Sequence, residues 1–202
     1  MRLLVDSDIF CKLGVSGLLS PALAALGVSH QECGRLPALP HMLHKGKLPR
    51  LYGEAACRAL VESAHSMPVA PAAGDEWLDQ LVGVNEIDIG EAQLYAIAAE
   101  RGLTIATGDK RALRAVAKLP RLHPPLAGRV VTFEAILLEL YTTMGASELR
   151  QAVSPLSSDG LIKVCFSPGN DEPSAALHSS LNALAAEVAP LALWQPGTRI
   201  GP

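Results

Sequence analysis

DIGEAQLYAIAAERGLTIATGDKRALR, from Asp88 to Arg114, is the stretch whose reading decides the fold. Ala92, Leu94, Tyr95, Ala98 and Ala99 keep mostly helical spacing, which predicts a helix from Ile89 to about Arg101. Gly102 stops it, Leu103 to Thr107 is an apolar run of strand length, and Gly108-Asp109 opens a second helix. Sites in open α/β sheets lie outside the carboxyl ends of the strands. Asp109 therefore stands where a catalytic carboxylate is expected.

Toward the N-terminus the pattern repeats. Leu3-Leu4-Val5 reads as a buried parallel strand and runs into Asp6-Ser7-Asp8, with a helix over Ile9, Phe10 and Leu13. Ser7 or Asp8 can cap that helix, and Asp6 occupies the same kind of position as Asp109. A helix over Ser20–Leu26 and a strand beginning at Gly27 to His30 follow. Gly34 to Arg50, with Pro37, Pro40 and Pro49, reads as irregular. His41-x-x-His44 lies there, but the prolines disturb the helix that would make it a metal pair, and no third ligand is near. His44, Lys45, Lys47 and Arg50 form a basic cluster, either a solvated loop or a phosphate contact. Tyr52–Ala64 reads as one helix, Met67-Pro68-Val69 as a short exposed strand, and Gly74-Asp75 as another helix start.

Toward the C-terminus, Arg129-Val130-Val131-Thr132 is a further strand and Phe133–Met144 an apolar helix that stops at Gly145. Ser154–Asp159 is Ser/Pro-rich linker, Leu161–Phe166 a strand, and Ser174–Val188 an amphipathic helix. The expected fold is α/β: a three-layer α/β/α sandwich with a central, mainly parallel sheet over residues 1–146. Residues 147–202 then form a linker and a C-terminal strand-helix appendage, docked on the domain or on a second copy in a homodimer.

A chain of 202 residues fits one domain with an appendage. It buries roughly 70% of its unfolded surface and so needs no staple. Cys11, Cys33, Cys57 and Cys165 form no C-x-x-C pair and read as buried thiols of a reducing compartment. No apolar run approaches the roughly 18 residues of a membrane span, and the chain opens directly on a strand, so a cytoplasmic protein is expected. The net charge of -3 hides segregation. Residues 61–100 carry eight acidic side chains and no Lys or Arg, whereas residues 101–150 carry eight basic against four acidic. Local field decides whether a polyanion approaches, so nucleic acid is not excluded.

Asp88-x-x-Glu91 has the spacing of a capping box, and Asp109 can cap the helix that begins at Lys110. A structural role is thus open to each. Against it, Asp6, Glu91 and Asp109 all fall at a helix start or a strand end, and right-handed parallel crossovers bring those ends to one side of the sheet. At about 4 Å and an effective dielectric near 20, each close carboxylate pair costs on the order of 4 kcal/mol. Such a cluster holds protons or a cation, and all-oxygen donors suit Mg²⁺ or Mn²⁺. Lys110, Arg114, Lys118 and Arg121 recur as one basic stripe, either a solvated face or a grip on a nucleic-acid backbone.

With these residues placed, LLVDSDIFCKLG, IDIGEAQLYAIAAERGLTIATGDKRAL and RVVTFEAILLEL together resemble the PIN-domain family of metal-dependent nucleases, which includes the VapC-type toxin ribonucleases. The resemblance covers roughly residues 1–145. It implies an α/β/α sandwich, an acidic pocket for Mg²⁺ or Mn²⁺, hydrolysis of RNA and, for a toxin, an antitoxin partner. By position Asp6 matches the first-strand aspartate, Glu91 the acid on the central helix and Asp109 the aspartate after the next strand, with Asp8 as an added ligand. The family's further acid on an early helix has Glu32 and Glu54 as candidates, neither in a convincing motif. Lys110 or Arg114 would steady the backbone, and no side chain acts as covalent nucleophile.

Two other readings compete. Asp6-x-Asp8 after a strand mimics the nucleophile motif of haloacid-dehalogenase-type phosphatases, in which Asp6 would carry a phosphoryl group and Asp8 act as acid/base. The Thr or Gly expected after Asp8 is missing. The second is a non-catalytic PIN-like module that binds RNA or protein, favoured by the unassigned fourth acid and the amphipathic tail helix.

Overall fold

Val5 of the first strand pairs with Ala106 of the third, and this parallel contact is the centre of the molecule. In the computed structural model, which describes residues 1–201, strand β1 (Leu3–Val5) is followed by α1 (Ser7–Val15), α2 (Leu19–Ala25) and β2 (Cys33–Gly34). Four short helices come next: α3 (Leu39–His44), α4 (Lys47–Tyr52), α5 (Glu54–Ala59) and α6 (Val61–Ser66). Then come α7 (Asp75–Leu78), α8 (Ile89–Arg101), β3 (Thr104–Thr107), α9 (Lys110–Val116), α10 (His123–Leu126) and β4 (Val130–Thr132). The chain ends with α11 (Phe133–Ala152), α12 (Gly160–Cys165) and α13 (Pro173–Glu187). The sheet is wholly parallel, in the order β2-β1-β3-β4, and helices flank it as in a three-layer α/β/α sandwich.

All residues of β1, β3 and β4 are buried, as continuous apolar strands covered on both faces require. Among the helices, α7 and α10 pack on α8, while α2 and α13 pack on α11. Buried Leu177, Leu181 and Leu184 of α13 join the same core as the strands. The segment after α13 runs along the outer edge of β4: Gly128 N donates to Ala192 O at 2.8 Å and Trp194 N to Val130 O at 3.0 Å. It thereby covers a strand edge that would otherwise expose unpaired backbone groups. The four cysteines are free and buried. Among the described residues no single helix is long and apolar enough to cross a membrane.

Several local expectations need correction. The strand expected over Leu161–Phe166 is helix α12, so the C-terminal extension contributes no strand. Asp159 caps this helix by accepting from Leu161 N and Ile162 N. Ile162 and Cys165, three apart, are buried while Val164 is exposed, a helical rather than an alternating pattern. The irregular stretch at 34–50 holds two helices; Pro40 sits in the first turn of α3, where its missing N–H costs nothing. His41 and His44 on α3 are both exposed. Where one helix was expected over Tyr52–Ala64, α5 and α6 are separated at Leu60, whose conformation remains αR. Gly27 to Ser29 is irregular, His30–Glu32 is a 3-10 turn, and the second strand begins only at Cys33. Met67 to Val69 gives a single parallel bridge between Val69 and Arg35. Gly145 (φ 80°, ψ 171°) does break the helical backbone as expected, and α11 resumes beyond this kink to Ala152.

Candidate active-site cleft

Asp6 and Asp109 leave neighbouring strands at the same edge of the sheet. Asp6 N donates to Ala106 O at 3.0 Å, prolonging the β1–β3 ladder by one residue beyond Val5. Helix α8, which packs on β3, begins at that edge and brings Asp88 and Glu91. The result is a cleft of about 920 Å³ lined by Asp6, Asp8, Asp88, Glu91 and Asp109, with Lys47 and Arg111 as its cations. Exposed Leu51 and Ile89 also line it. Asp6, Glu91 and Asp109 thus line one cleft.

The two structural roles foreseen for these acids are also filled. Asp88 Oδ1 accepts from Glu91 N and Glu91 Oε2 from Asp88 N, each at 2.8 Å, which closes a capping box. Asp109 caps α9 by accepting from Arg111 N at 2.8 Å and Ala112 N at 3.1 Å, while the Arg111 guanidinium reaches its second oxygen at 3.2 Å. A cap uses part of a carboxylate and leaves lone pairs facing the cleft.

The charges oppose one another. Burial, then the charge of Asp8, pushes the Asp6 carboxyl up to about 6, against hydrogen bonds from Ser7. Burial pushes Glu91 up to about 7; the Asp88 N–H opposes this, and the charges of Asp88 and Asp109 reinforce it. A hydrogen shared between Glu91 and Asp109 favours the protonated Glu91. Burial would raise Asp109 too, but hydrogen bonds from Ala112 and Arg111 overcome it and hold Asp109 below the usual carboxylate range. Burial and mutual repulsion thus both disfavour the charged forms of Asp6 and Glu91.

Asp8 is held from both sides. Tyr52 Oη donates to its Oδ1 at 2.5 Å, and Lys12 Nζ lies 2.8 Å from its Oδ2. With both oxygens engaged it is poorly placed as the mobile acid/base that the phosphatase reading requires. Lys12 also pairs with Asp159 at 2.9 Å, beside a smaller cavity lined by Lys110, Phe133 and Glu134.

The basic stripe does not form a free face. Helix α9 ends at Val116, so Lys118 and Arg121 lie beyond it. Lys110 pairs with buried Glu134 at 2.5 Å, Arg114 with Glu187 at 2.6 Å, and Arg121 is 3.7 Å from Glu76. Lys118 is exposed. The cations at the cleft are instead Lys47, from the early basic cluster, and Arg111, which helical spacing sets off the stripe.

Neither candidate for the fourth acid lines the cleft. Glu32 caps a turn with Ser29 and pairs with Arg2 before β1, at the amino end of the sheet. Glu54 is exposed on α5 beside Arg58. Asp88, legible in sequence only as a cap, is the additional acid in the cleft.

The donor set is all carboxylate oxygen, the donor chemistry that suits a hard divalent cation. It is not a closed cage: among the described residues no three His, Cys, Asp or Glu side chains are gathered to hold one ion. No family model, curated protein or solved structure matches the chain.

Proposed function

We propose that the chain is a metal-dependent ribonuclease related to the PIN-domain nucleases, with Asp6, Glu91 and Asp109 holding Mg²⁺ or Mn²⁺. The observation that carries this reading is the convergence of five carboxylates at the carboxyl ends of parallel strands, two of them with raised pKa. A divalent cation held by these carboxylates would supply activation of water and offset of the charge that develops in an in-line phosphoryl displacement.

The chain's own residues supply the rest. Lys47 and Arg111 are the cations available to the phosphates of an entering strand, which would otherwise meet only negative charge. Leu51 and Ile89 offer apolar surface to a ribose or base. Calorimetric titration with Mn²⁺ of the wild type and of the Asp6→Asn/Asp109→Asn variant tests the site. Binding by the wild type alone supports the reading and justifies cleavage assays on RNA; absence of binding by the wild type overturns it.

A second reading, a non-catalytic RNA- or protein-binding module, has one observation in its favour. Glu91 and Asp109 already serve as caps, and their side chains form no closed cage. Mn²⁺ binding without cleavage of any RNA tested would favour it.

A further inference from the structure

Helix α4 forms part of the cleft wall and is held there by few contacts. Lys47, Leu48 and Leu51 line the cavity, and of the six helical residues only Leu48 is buried. The helix packs on α1, α3 and α5, yet among the described residues no backbone hydrogen bond joins Lys47–Tyr52 to another helix or strand. Local stability follows buried apolar contact and hydrogen bonding, so a segment with one buried anchor belongs to the low-stability end of a molecule.

Both ends of α4 are glycines in conformations that other residues rarely adopt: Gly46 at φ 99° and ψ -138°, Gly53 at φ 89° and ψ 141°. A Cβ at either position would meet nothing within 4 Å. Space does not require these glycines; backbone conformation does. Hinges are commonly a few residues at the ends of an element, where a change in φ and ψ is absorbed.

One hydrogen bond closes the wall. Tyr52 Oη donates to Asp8 Oδ1 at 2.5 Å, the only hydrogen bond from an α4 side chain to the rest of the described residues. Its acceptor is a carboxylate paired with Lys12, so the bond is charge-assisted. Tyr52 directly precedes Gly53, and a change of backbone angles at that glycine carries the phenol away from Asp8. Lys12 holds the other oxygen of Asp8, so the carboxylate keeps its place when the phenol leaves.

We propose that α4 is a hinged gate of the cleft: it turns as a unit about Gly46 and Gly53, the Tyr52–Asp8 hydrogen bond latches it shut, and opening widens the cleft and frees Asp8 Oδ1 toward a ligand within it. The gate goes beyond the metal-dependent reading and stands whether or not the cleft holds a cation.

Tyr52→Phe keeps the ring and removes the latch. Amide relaxation dispersion by NMR, which reports exchange on the μs–ms scale, is measured on the metal-free wild type and variant. The expected result is exchange at residues 46–53 with one shared rate, and an open population raised about tenfold or more in the variant, since a hydrogen bond to a charged acceptor is lost. No exchange at residues 46–53 in either protein overturns the gate. Exchange spread equally over α3 and α5 overturns it as a separate unit. An open population unchanged by Tyr52→Phe overturns the latch. Chemical shifts altered throughout the variant assign the hydroxyl to the general fold and overturn the latch as well.

Discussion

Asp8 in the cleft and Asp159 in the C-terminal segment share one cation. The Lys12 ammonium, 12% exposed, lies 2.8 Å from the first and 2.9 Å from the second, with the Phe133 ring 5.0 Å away. The far end of the chain therefore reaches to within one side chain of the candidate site.

Lys12→Met should cost about 2–3 kcal/mol, measured by urea unfolding, because two partly buried carboxylates would be left facing each other. The figure lies below that of a fully buried pair because Asp8 keeps 35% of its side-chain surface exposed. Asp159→Asn should cost less, since asparagine keeps the cap of α12. Equal losses would mean that the Lys12 pair with Asp159 carries the whole effect and its pair with Asp8 none.

Asp6 and Glu91 make stability depend on pH in an unusual direction. Their ordinary values of 3.8 and 4.5 are raised to about 6 and about 7, so the folded protein binds the extra protons. The stability they contribute is complete below the ordinary values and is lost as pH rises through the raised ones. Asp109, whose carboxyl is lowered, loses its contribution only as pH falls, at the acid end of the range. Metal-free protein should therefore show a Tm that declines between about pH 4 and pH 7, and Glu91→Gln should flatten the decline. A rising profile would mean that neither carboxyl is raised.

Gly108→Ala tests how closely the end of β3 approaches α1. A Cβ at Gly108 would stand 3.2 Å from Ile9 Cδ1, 3.5 Å from Asp8 Oδ2 and 3.6 Å from Lys12 Nζ. Overpacking of this kind should cost about 1–2 kcal/mol in chemical denaturation. No loss would show that Ile9 shifts freely.

Arg111→Ala and Lys47→Ala should each weaken binding of single-stranded RNA by roughly tenfold, whereas Arg114→Ala should leave it unchanged. Arg111 is 74% exposed, so its removal should leave stability nearly unchanged. Gel-shift titration at fixed low salt separates the cases. A loss on Arg114→Ala would return the RNA path to the outer face of α9.

What the sequence determined by itself is local. Apolar runs placed β1, β3 and β4, helical spacing placed α8 and α11, and capping residues at Asp88 and Asp109 set where two helices begin. From strand ends and parallel connections it was also legible that Asp6, Glu91 and Asp109 lie at one edge of the sheet. Periodicity and caps act over a few residues, so they survive translation into structure. The tertiary structure decided which partner each charge finds. Lys110 is taken by Glu134, Arg114 by Glu187 and Lys12 by Asp159, across separations that no local pattern encodes. Leu161 to Cys165 is helical because a cap and a buried face outweigh strand propensity, and Asp88 becomes a cleft acid because α8 packs against β3. Propensity and motif specify a residue's own backbone; burial and charge belong to neighbours that only the packed chain brings together.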